Sequence, residues 1–159
     1  AEDGFVDKFI GDAVMALWNA PHESADHAVK ACRAALRCQR ETAKLCASAE
    51  WGGRASLVTR IGLHVGEVMV GHFGAPDRLS YTAIGDSVNL ASRLEGLNKQ
   101  YGTLLLVSED VFRRTKHAFA FRRLDHVAVK AVGAPATPAF TSKPASFSRF
   151  CRSADERAS

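Results

Sequence analysis

The chain predicts an α+β domain, an antiparallel or mixed sheet with helices packed on it. Short β-type runs recur in neighbouring pairs, among them GFVDKFI with AVMALW and FAFRRLDHVAVK with PATPAF. Between such pairs lies a helical stripe of Ala25, Ala28, Val29, Cys32, Ala35 and Leu36. The length of 159 residues suffices for one domain with its own core and is too short for two comfortable ones. Strand pairs interrupted by helices are the pattern of a sheet covered by helices.

Residues 4–10 and 13–18 predict two strands around a Gly11-Asp12 turn, because glycine takes positive φ cheaply and aspartate suits tight turns. The helix with the apolar stripe runs from Ser24 to about Cys46, and Trp51-Gly52-Gly53 ends it. Leu57, Thr59, Ile61, Leu63 and Val65 alternate with Val58, Arg60, Gly62 and His64, which predicts a strand. Gly66-Glu67 is expected to turn it into a second strand, VMVGHF, and the polar stretch GAPDRLS to follow as a loop. The next helix starts near Asp86 or Ser87, either of which could cap it, and runs to Asn98 or Gln100. TLLLVS reads as a strand, SEDVFRRT as a short helix, and the last pair of strands closes the domain. From Lys143 onward the chain is polar, so the expected division is a domain over 1–142 and a linker or frayed tail over 143–159.

Composition narrows the function. Hydrophobic residues at 47% and charged residues at 24% are ordinary for a soluble globular protein. The net charge of +4 is mild, and its basic residues are interspersed with acidic ones, with FRRT and FRRL as the only short basic runs of note; nucleic-acid binding has little support. No stretch approaches the ~20 apolar residues of a membrane span. AEDGFVDKF has no leader pattern, and the missing initiator methionine suggests a piece of something longer. The cysteines at 32, 38, 46 and 151 include no CxxC, so neither a zinc site nor a redox motif is indicated. The first three read as small apolar fillers of one helix, in a reduced, cytosolic setting.

Two features could carry chemistry. Asp12 follows Gly11 at the sharpest point between two apolar runs; it is either ordinary hairpin chemistry or a carboxylate aimed by a rigid turn at a metal or phosphate. In the 86–98 helix, Leu90, Ala91, Leu94 and Leu97 gather on one side, while Asn89 and Arg93 stand nearly opposite at i and i+4. That second face is either solvated or turned to a ligand held by another chain, where arginine suits phosphate charge and asparagine suits a hydroxyl.

Three stretches in order and spacing, GFVDKFIGDAVMALWNAP, RIGLHVGEVMVGHFGAPDRLSYTAIGDSVNLASRLEGLNKQYGT and LLLVSEDVF, resemble the catalytic domain of the class III adenylyl/guanylyl cyclases, over about residues 4 to 141. The resemblance implies a mostly antiparallel, ferredoxin-like-derived sheet flanked by helices. It implies a homodimer with shared active sites, ATP converted to 3′,5′-cyclic AMP and pyrophosphate, and two Mg2+ or Mn2+ ions per site. Asp12, in FIGD, falls on the second metal aspartate of the family; Asn89 and Arg93, in VNLASR, fall on its transition-state pair. Lys130, in HVAVK, falls on the lysine that holds the terminal phosphates, although Ala131-Val132 stand where the family commonly has Gly-Lys.

Base choice falls to Lys8 and to Thr82 in YTAIGD. A lysine can donate to adenine N1 and a threonine hydroxyl can accept from the 6-amino group, whereas guanine offers the reverse polarity. Guanylyl members typically carry glutamate and cysteine there, so the resemblance implies ATP rather than GTP.

The family's first metal aspartate lies in a pattern like FxDIxGFT, which has no counterpart here. The expectation is a cyclase fold without its first strand and helices, a truncated form of an active enzyme that by itself shows little activity. WNAP and CRAALRCQ are similar to bacterial cyclases attached to membrane-bound sensors, which implies a cytoplasmic catalytic domain whose only membrane contact is an upstream sensor region. The alternatives are a guanylate cyclase, a non-catalytic dimerisation or regulatory domain of the same fold, and an unrelated sheet-based module for an acidic ligand.

Overall fold

The four residues Leu105–Ser108 are all buried, and this one strand organises the domain. Side chains alternate across a strand, so an unbroken apolar run needs cover on both faces. The computed structural model, which describes residues 2–127 and 137–142, supplies it. Leu105 and Val107 pack with Cys32, Ala35, Val111 and Phe140 on one side. Leu106 packs with Leu94, Leu90, Leu97 and Tyr101 on the other.

In chain order the elements are β1 (Phe5–Ile10), β2 (Ala13–Leu17), α1 (His27–Ala47), a 3-10 turn (Ala49–Trp51), β3 (Ile61–Leu63), β4 (Met69–Phe73), β5 (Ser80–Ile84), α2 (Asp86–Tyr101), β6 (Leu105–Ser108), α3 (Glu109–Thr115), β7 (Phe121–Val127) and β8 (Thr137–Ser142). One sheet has the order β3-β6-β8-β7, and β1-β2 and β4-β5 form two separate hairpins. Every pair is antiparallel except β3 with β6.

That exception corrects one expectation. Gly66-Glu67 does not fold the 57–65 segment back on VMVGHF; only Ile61–Leu63 is strand, and it pairs in parallel with Leu105–Val107. Parallel strands need a long crossover, and α2 closes it against the sheet. Gly62 permits the close approach: a Cβ there would collide with the Ala91 carbonyl and the Glu95 amide of α2. A second correction is β5, which pairs with β4 from Ser80 to Ile84, taking in the end of the segment expected as loop. Neither Asp86 nor Ser87 caps α2: the N-cap position is Gly85, Asp86 sits in the first turn, and Ser87 donates its hydroxyl to the Glu67 carbonyl at 2.9 Å.

Of the presumed fillers, Cys32 is buried in the main core, and burial pushes its thiol up to about 11, far from a reactive thiolate. Cys38 is exposed and Cys46 half-buried, so the filler reading holds fully only for Cys32 among the described residues.

Asn98 locks α2 to β3. It is completely buried, and its amide nitrogen donates to the Ile61 carbonyl at 3.0 Å as well as to the carbonyls of Leu94 and Glu95. Its side-chain oxygen accepts from the Thr103 hydroxyl at 2.8 Å. Asn98→Ala strips partners from the buried Thr103 hydroxyl and the part-buried Ile61 carbonyl, so the expected loss is about 3 kcal/mol, read as a lowered urea midpoint at unchanged slope. An unshifted midpoint would mean that water replaces the amide at no cost.

Candidate functional site

The β1–β2 hairpin turns through two residues, with Ile10 paired to Ala13 and Gly11 at φ 61°. Glycine is the residue that adopts this left-handed conformation without a Cβ penalty. The turn leaves Asp12 exposed at the tip, with no side-chain hydrogen bond or ion pair to the described residues. An unpartnered carboxylate on a two-residue turn is suited to be one ligand of a divalent cation. It is not a metal centre by itself: no group of three or more His, Cys, Asp or Glu among the described residues could hold an ion.

At the other end of the same strand the register breaks. Val6 pairs with Ala16 but Lys8 pairs with Met15, so Asp7 is an extra residue opposite no partner, a β-bulge. Regular alternation would send Asp7 and Lys8 to opposite faces; a bulge re-aims its side chains. Here Lys8 Nζ lies 3.8 Å from Asp7 Oδ2. The same carboxylate oxygen accepts a 2.5 Å hydrogen bond from the hydroxyl of Thr82 on β5. The Asp7 side chain is 2% exposed and Thr82 6%, whereas Lys8 keeps 41% of its side chain in solvent. Phe5 meets the ring of Tyr81 edge-on at 5.6 Å and so helps hold the two hairpins together.

Of the residues singled out in the sequence, Lys8 and Thr82 are thus brought to one carboxylate. Asn89 and Arg93 are exposed on α2, away from Leu94 and Asn98, which face the core. Neither makes a side-chain hydrogen bond or ion pair among the described residues. Lys130 and the 143–159 segment lie outside the described residues. Asp7 was not singled out in the sequence, where it reads as one residue of a regular strand beside Lys8; the pairing register is what marks it. No described helix is long and apolar enough to cross a membrane.

Comparison with known proteins bears on the whole of this architecture. The family model described as adenylate and guanylate cyclase catalytic domain matches residues 6–141. Adenylate cyclase 1 of Rhizobium meliloti (strain 1021) is 45% identical over 124 residues, which make up 78% of this chain and 19% of that protein. The adenylyl cyclase CyaB from P. aeruginosa superposes with a TM-score of 0.79 at 30% identity, over 90% of this chain and 73% of the other. The guanylate cyclase domain of RhGC from Catenaria anguillulae, solved with GTP, reaches a TM-score of 0.70 at 25% identity, over 89% of this chain and 73% of the other. The fold therefore does not choose between the two bases. The chain belongs to the adenylate and guanylate cyclase catalytic domain family.

Proposed function

We propose that the chain is the catalytic part of an adenylate cyclase, forming 3′,5′-cyclic AMP and pyrophosphate from ATP at sites shared by two copies, in intracellular signalling. The observation that carries the choice of base is the meeting of Lys8 and Thr82 at Asp7. An ammonium beside a hydroxyl presents one donor and one acceptor, which match N1 and the 6-amino group of adenine. Guanine has a donor at N1 and an acceptor at O6, leaving like facing like in a partly buried site, and unmade buried hydrogen bonds are costly. Relatives named as adenylate cyclases favour the same substrate.

In the reaction the ribose 3′-hydroxyl gives up its proton to water, and its oxygen forms a bond to the α-phosphorus as the bond to pyrophosphate breaks. Asn89 orients the ribose and Arg93 stabilises charge growing around the α-phosphate. Both stand on an outward face of α2 and so reach a substrate held by the partner chain, which is why two copies are required. Asp12 provides one carboxylate to Mg2+ or Mn2+, whose contribution when bound is to lower the pKa of the hydroxyl and neutralise charge. Lys130 is assigned to the terminal phosphates. Large apolar side chains left open on the hairpins, Phe9 at 74% and Met69 at 65%, favour a covering surface from beyond the described residues.

The test is base preference in the full-length protein. Lys8→Glu combined with Thr82→Cys reverses the donor–acceptor pattern, so the ratio of kcat/KM for ATP over GTP is expected to fall by about tenfold or more. An unchanged ratio in an active double variant would mean that these residues do not read the base.

A further inference from the structure

We infer that Asp7 is the specificity-determining positioning residue of the base site: it fixes the polarity of Thr82. A threonine hydroxyl has one proton and two lone-pair directions, and by itself it can rotate to donate or to accept. A hydroxyl free to rotate would satisfy the 6-amino group of adenine and the 6-carbonyl of guanine alike. Thr82 is not free. Its proton is directed at Asp7 Oδ2 at 2.5 Å, and a carboxylate offers acceptors only. What remains for a ligand is the lone pairs, so Thr82 faces a substrate as an acceptor and selects an amino group over a carbonyl.

The bulge makes the arrangement. Asp7 is the unpaired residue between Val6 and Lys8, and its re-aimed side chain reaches across to β5, where Thr82 is paired to Gly71. Its 2% exposure keeps water from competing for the hydroxyl proton. Lys8 Nζ, 3.8 Å from the same oxygen, places the donor of the base site beside its acceptor. Asp7 itself touches no base and acts on selectivity through the Thr82 hydroxyl that it holds. The inference rests on the adenine-reading role assigned above to Lys8 and Thr82.

The test compares kcat/KM for ATP and GTP in four single variants of the full-length protein and in one double variant. Asp7→Ala releases the hydroxyl, and the ATP preference is expected to fall about tenfold, the size of one buried polar contact. Asp7→Ser, which keeps a polar link that can donate as well as accept, is expected to act in the same way and serves if the alanine variant does not fold. Asp7→Asn retains an oxygen acceptor and is expected to keep most of the preference. Thr82→Val is expected to lower the preference by itself, and adding Asp7→Ala to it should then change the ratio no further, because Asp7 acts through the hydroxyl. If Asp7→Ala or Asp7→Ser slows both nucleotides equally and leaves the ratio alone, while Thr82→Val alters it, Asp7 is only a structural tie and the inference is overturned. If Thr82→Val leaves the ratio alone, the base-reading role itself has failed and the inference falls with it.

Discussion

Replacing Arg93 with alanine in the full-length protein is expected to reduce kcat for ATP cyclisation by roughly 10²- to 10³-fold, with a much smaller change in KM. That range is typical of losing one preorganised donor to charge that develops in the transition state. The kinetic split follows because a contact made only in the transition state is absent from the ground-state complex. Stability should barely move. Arg93 is exposed on α2 and has no side-chain partner among the described residues, and such surface positions usually shift stability by within about 0.5 kcal/mol. Arg93→Lys should recover little, since a single ammonium lacks the planar fork that grips phosphate oxygens. A variant with normal kcat, or with a raised KM alone, would return this face of the helix to plain solvated surface.

Why Arg93 and Asn89 could be singled out in the sequence, while Asp7 could not, is a matter of local against non-local order. Helical periodicity is fixed at ~3.6 residues per turn, so once Leu90, Leu94 and Leu97 face inward the opposite face follows. The β1–β2 hairpin was legible for a similar reason, since Gly11-Asp12 carries its turn chemistry within two residues. β6 was legible as a strand in TLLLVS, but its burial on both faces and its neighbours in the sheet were not. Strand partners are chosen at long range, and the choice that paired β3 with β6 depended on Gly62 admitting α2. β5 escaped because its five residues sit between a polar loop and a helix start, with β4 as the only sign of their pairing. Asp7 lies at a bulge, which breaks the alternation that strand reading depends on. Asn98 reads in the sequence only as a possible end of the helix; its bond to the Ile61 carbonyl spans 37 residues of sequence and has no local signature.

Mixing two inactive forms of the full-length protein should restore activity if each site is shared between two chains. Asp12 would serve the metals from one protomer, and Arg93 would serve the same substrate from the other. Asp12→Ala and Arg93→Ala should each be nearly inactive as homodimers, because every site then carries one lesion. At equal amounts and random pairing, about half of the dimers are mixed, and twofold symmetry gives each of these one doubly damaged site and one intact site. Activity is therefore expected to return to roughly a quarter of the wild-type value. Sites contained within a single chain would gain nothing on mixing, since no chain carries both residues. Subunit exchange is checked on the same samples, by labelling each variant with a different fluorophore and following energy transfer as the pools mix. Exchange without recovery would place Asp12 and Arg93 in one protomer's site, or remove one of them from the site altogether. The exposed face of α2 would then need no partner chain. Recovery near a quarter, in step with exchange, requires that the hairpin tip of one copy and the outward helix face of the other meet at the same substrate.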